Sequence, residues 1–183
     1  MLRRLGCLAA LVSLLVFLAV LAVVGWFGYA AYTHARDVQA VASRTQEVGT
    51  AWANDPAALA KAAGGTGGVR PSGLSTQPFQ QLGARPTTGY TVSRATLTLR
   101  TSTVGCHPAP LTVDVVETPV LVQVLVRPEN PWLPDVGRFW EQLRDSSGCT
   151  DKAAPATVTV TLGSGLGKRV LVDAVTGTSV RKR

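Results

Sequence analysis

From Leu5 to Tyr32 the chain carries no charged side chain, and its only clearly polar groups are Ser13 and the tyrosines. A helix needs about 20 apolar residues to cross a bilayer. This run has 28 residues, so the first expectation is one membrane span followed by a separate, water-facing part. Trp26, Phe27, Tyr29 and Tyr32 cluster at the far end of the run, where aromatic rings favour the headgroup zone.

The flanks set an expected orientation. The amine of Met1, Arg3 and Arg4 precede the run, and short basic flanks stay in the cytoplasm. Residues 1–4 are then a cytoplasmic tail and 5–32 a signal anchor. Everything beyond is expected to be exported, giving a single-pass cell-membrane protein with its C-terminal domain outside. Arg36 and Arg44 beyond the span narrow the difference in basic count. A cleaved signal peptide is the rival reading, because Gly28-Tyr29-Ala30 offers small residues at a cleavage site. It would release a secreted soluble protein after Ala30. Cleavable apolar regions are normally about 7–15 residues, shorter than the run seen here.

The net charge of +7 arises largely at the ends, at Arg3 and Arg4 and at Arg181, Lys182 and Arg183. Residues 33–180 hold 13 basic and 11 acidic side chains, too even a balance for the basic face of a nucleic-acid-binding domain. No nucleic-acid partner is expected.

Residues 33–63 read as a juxtamembrane helical region. Val38, Val41, Thr45, Val48 and Trp52 recur at steps of three and four, the spacing of a coiled-coil seam. The stripe is either a homodimer seam or a face laid on the rest of the same chain. Asp55 reads as an N-cap with Pro56 at the first helical position, and Gly64-Gly65 stops that short helix. Residues 64–89 contain ten Gly or Pro among 26 and read as a flexible linker.

Residues 90–183 read as the folded β-rich domain, with four to six short strands. Leu97 and Leu99 alternate with threonines, as do Val158, Val160 and Leu162, which is the pattern of half-buried strands. Val120 to Val126 is apolar apart from Gln123 and reads as a strand covered on both faces. Val136, Phe139, Trp140 and Leu143 have helical spacing behind Asp135, predicting one packed helix. The fold class expected is α+β: a transmembrane helix with a helical extension, then a small, mainly antiparallel β-domain.

Cys106 and Cys149 both lie in the part expected to be exported, where disulfides persist, so they are expected to pair. Cys7 lies inside the apolar run. Residues 149–177 carry Cys149-Thr150-Asp151, Leu166-Gly167-Lys168-Arg169, Val172-Asp173 and Thr176-Gly177. This series resembles the C-terminal pattern of membrane-anchored exported proteins of high-GC Gram-positive bacteria. In those proteins Pro often precedes Leu-Gly, where Gly165 stands here. The resemblance implies a disulfide-bridged, exported β-domain and carries no activity with it.

No catalytic, cofactor-binding or metal-binding residues are assigned. Gly163 to Arg169 mimics a phosphate loop, but Leu162 stands where the first Gly belongs and Arg169 replaces the hydroxyl residue. It reads instead as a hairpin connection between two strands. Cys106-His107 has too few companions for a zinc site. Asp173, inside a strand, would need a partner such as Arg169 if buried. Trp132 and Leu133, within a Pro-rich stretch, are candidate contacts for an envelope protein partner, because a rigid Trp suits a binding hot spot. The expectation is a non-enzymatic protein with a binding or assembly role in the envelope. An envelope-acting hydrolase is the alternative, needing convergent polar groups around Asp173 or His107.

Overall fold

The computed structural model describes residues 2–79, 81–104, 110–129 and 153–182. The chain forms two compact units, Met1–Asp37 and Val38–Arg183. The first unit is helical throughout and belongs to α1 (Leu2–Ala53). Its large apolar side chains from Leu14 to Tyr32 all face outward, at 50–67% exposure. A helix apolar on every side is a core helix or a membrane span. This one is long and apolar enough to cross a membrane, with a mean hydropathy of 2.3.

In the second unit α1 ends at Ala53 and α2 (Pro56–Ala63) follows. Asp55 caps α2 by accepting a hydrogen bond from the Ala58 N–H at 2.9 Å, and Pro56 opens the first turn. Pro is tolerated there because its missing N–H would have no helical acceptor.

Seven strands are found among the described residues: β1 (Gly89–Ser93), β2 (Thr96–Val104), β3 (Leu111–Glu117), β4 (Leu121–Pro128), β5 (Ala153–Thr161), β6 (Val170–Asp173) and β7 (Thr178–Ser179). They make two sheets. One has the order β1-β2-β5 and is antiparallel throughout. The other has the order β3-β4-β6-β7, with β4 and β6 parallel. The α+β class holds, and the sheets are mainly antiparallel.

The alternation in the sequence explains how the sheets stack. In the register, Tyr90 pairs with Leu99, Leu97 with Val160, and Leu99 with Val158, so all five point to one side. Val122, Val124 and Val126 of β4 and Leu171 of β6 meet them in a common apolar cluster. The opposite face of β4 and β6 supplies Leu121, Val170 and Val172, which pack with Val48, Trp52, Ala58 and Ala62 of the two helices. The unit therefore has three layers, with the four-stranded sheet between helices and the second sheet. Leu121 to Val126 is buried at every position, as the unbroken apolar run requires of a strand covered on both faces.

Three sequence expectations differ from the structure here. The folded unit starts at Val38 rather than Tyr90. Residues 64–89 are not a free linker: Val69, Pro71 and Leu74 are buried. The backbone of this segment bonds along the sheet, Gly68 N–H to Ser179 O, Phe79 N–H to Val175 O and Arg85 N–H to Val126 O, each at 2.8 Å. Gly and Pro are abundant because the segment turns repeatedly, with Gly65, Gly68 and Gly73 at positive φ. Finally, Gly163–Arg169 links strands of different sheets and is not a hairpin. The helix expected behind Asp135 falls outside the described residues.

Candidate functional site

The two buried charged side chains among the described residues, Arg44 and Asp173, meet at the turn between β6 and β7. β6 ends at Asp173, which is fully buried. Its carboxylate accepts hydrogen bonds from Thr176 Oγ1 at 2.7 Å, Thr176 N–H at 3.1 Å and Val175 N–H at 3.4 Å. Arg169, the partner expected from sequence, is elsewhere: its guanidinium donates to Glu117 at 2.7 Å. Asp173 thus has hydrogen-bond donors but pairs with no cation among the described residues. Burial outweighs those donors and pushes its carboxyl up from 3.8 to about 6.

Helix α1 is fastened to the same turn. Arg44 is buried at 5% exposure. Its Nε donates to Ala174 O at 2.8 Å and its Nη2 to Val175 O at 3.2 Å, while Nη1 meets Glu47 at 2.8 Å. Eight residues on, Trp52 Nε1 donates to Gly177 O at 3.2 Å. Gly177 has φ +72°, and a Cβ there would run into Leu74. The Val-Asp-x-x-Thr-Gly series is therefore a docking turn. Asp173 ties the Val175 and Thr176 N–H groups inward, which leaves the Ala174, Val175 and Gly177 carbonyls to accept from the helix and the 64–89 segment.

The seam residues are placed by this docking. Val48 and Trp52 are fully buried against their own sheet, and Val41 packs beside Leu125, Val175 and Phe79. Val38 is 52% exposed. Thr45 is buried as well, so four of the five stripe residues face their own chain. Sequence reasoning missed Arg44. The available signal was a lone Arg beside Thr45 in an apolar stripe, where a charge is costly unless it has acceptors.

Two surface depressions are formed by the described residues of this unit. One, of about 520 Å³, runs beside Ser43, Glu47, Thr50, Asn54 and Ser72. The other, of about 150 Å³, is lined by Tyr90, Gly167, Lys168, Arg169, Val180 and Lys182. Neither includes Asp173. The carboxylates of β3 are held in structural pairs, Asp114 with Arg127 at 2.6 Å and Glu117 with Arg169 at 2.7 Å. Arg169 holds Glu117 below the usual carboxylate range, helped by the Gly163 N–H. No group of three metal-ligating side chains occurs among the described residues. Cys106, Cys149, His107, Trp132 and Leu133 lie outside the described residues. Comparison with protein-family models, with curated proteins and with solved structures gave no match.

Proposed function

We propose that the protein is a single-pass membrane-anchored protein whose folded unit is exported and has a non-enzymatic binding or assembly role in the cell envelope. The observation that carries the anchor is the outward-facing apolar surface of the helix from Leu14 to Tyr32. In water such a surface, far beyond a few hundred Å² of contiguous apolar area, drives association. The basic flank at Arg3 and Arg4 supports an inside N-terminus. The Cys106–Cys149 pairing, expected of an oxidising compartment, belongs to the same reading. Support for a binding role comes from how the ionisable groups are used. Arg44, Asp114, Glu117 and Arg169 are engaged in holding the fold.

The test is side-specific labelling of intact cells. A tag after Arg183 should be reached by an impermeant reagent without permeabilisation. Labelling only after permeabilisation would overturn the exported orientation. The rival, release after Ala30, is favoured by one observation: the folded unit begins at Val38, so cleavage would leave it whole. Intact mass separates the two, since loss of the first 30 residues would show release rather than anchoring.

A further inference from the structure

The smaller depression is lined by three basic side chains, Lys168, Arg169 and Lys182. Lys168 follows Gly167, whose φ of +57° turns the chain, and the turn is closed by Arg169 N–H donating to Leu166 O at 3.0 Å. Lys182 is bridged through its backbone to Tyr90, and Tyr90 N–H donates to Arg181 O at 3.3 Å. Two lysines from separate segments thus stand on anchored backbones around one recess of about 150 Å³. Among the described residues no carboxylate lines it.

We propose that this recess binds a phosphate-type oxyanion between Lys168 and Lys182. Arg44, Arg127 and Arg169 each face a carboxylate, whereas among the described residues no carboxylate lines the recess beside the two lysines. Arg169 lines the recess but is committed to Glu117 and to Ser164 O and Gly165 O, so it acts as a positioning residue for the turn. Leu171 and Val180 contribute apolar wall, which lowers the local dielectric and strengthens an ammonium–anion contact. Two ammonium groups act as point charges suited to a multivalent oxyanion. At about 150 Å³ the recess has room for one phosphate head, since a single water needs only about 10–15 Å³ of such space. The end of α2 also borders the recess, but Gly64 and Gly65 N–H already occupy the Ala60 and Ala62 carbonyls.

This deepens the binding role proposed above and rests on it, while standing apart from membrane topology. Phosphate titration reads the recess, and external labelling reads the orientation. The full chain in an uncharged maltoside detergent is titrated with inorganic phosphate by calorimetry at fixed ionic strength. Saturable binding is expected, weakened about tenfold or more in the Lys168→Gln/Lys182→Gln variant, as loss of two partly screened charge contacts implies. Lys61→Gln, outside the recess, should bind as the parent does. Because both lysines are exposed, the double variant should keep its melting temperature. A second arm repeats the titration in phosphatidylglycerol nanodiscs. Loss of phosphate binding there assigns the occupant to a lipid headgroup, and its persistence assigns it to a soluble phosphate group. Absent saturable binding in detergent, or equal binding by the double variant, overturns the site.

Discussion

At the residue scale, Asp173 and Asp55 are carboxylates with opposite pH behaviour. Asp173 is raised to about 6 by burial. Its protonated form is favoured in the fold, so its contribution to stability is full below 3.8 and is lost as pH rises through about 6. Asp55 is lowered to about 2 by the Ser72 and Ala58 N–H groups. Its contribution is present above 3.8 and disappears as pH falls toward 2. Denaturant unfolding of the detergent-solubilised chain should therefore give a higher midpoint near pH 5 than at pH 7, then a fall below pH 4. Asp173→Ala should flatten the rise between pH 7 and pH 5. It should also lower stability by roughly 1–3 kcal/mol, because buried Val175 and Thr176 N–H groups lose an acceptor. An unchanged profile in that variant would show that another group titrates. Gly177→Ala should cost more than about 1 kcal/mol, since φ is positive there and Leu74 already occupies the space. Thermal melting reads it.

At the element scale, the end of α1 is held by few contacts, and these are the ones to break. Arg44→Ala strands the Ala174 carbonyl and leaves Val175 O with Phe79 N–H alone, at roughly 1.5–3 kcal/mol for a charged hydrogen bond. Hydrogen exchange should then speed up in 41–53 and in 174–177 together, while β2 keeps its protection. Faster exchange confined to the helix would show that the turn does not depend on Arg44. Trp52→Ala removes a fully buried indole, and a cost of about 3–5 kcal/mol is expected. The connection from β5 to β6 is held differently. Glu117 accepts from Gly163 N–H at 2.6 Å and pairs with Arg169. Glu117→Gln should loosen 163–169 without unfolding the sheets, read as faster exchange confined to that loop.

At the scale of the whole molecule, the layering makes helix 38–53 and segment 64–89 parts of one folded unit with both sheets. Truncation at Tyr90 should therefore yield an insoluble or unfolded product, because Leu121, Val170 and Val172 lose the helical side chains that cover them. Truncation at Val38 should leave a cooperatively folding domain. Expression of both fragments, followed by thermal melting, checks this. A soluble, cooperatively melting 90–183 fragment would show that the helix is an accessory to the fold.

Much of this was readable from residue order. The uncharged run identified the helix long and apolar enough to cross a membrane, because the exclusion of charge and the length requirement of a bilayer act on contiguous residues. Alternating Val and Thr identified β2 and β5, and Asp55-Pro56 identified the start of α2, because strand faces and helix caps depend on neighbours in sequence. The stripe from Val41 to Trp52 marked a buried face but not what would bury it, since one periodicity serves a partner copy and the chain's own sheet alike. Tertiary structure decided that it is the chain's own sheet. It also decided that a Gly- and Pro-rich segment is laid along the strands, that Asp173 ends in a turn without Arg169, and that Lys168 and Lys182 share a recess. These outcomes depend on which distant backbone carbonyls and side chains come within reach, and such distances are set only when the layers pack.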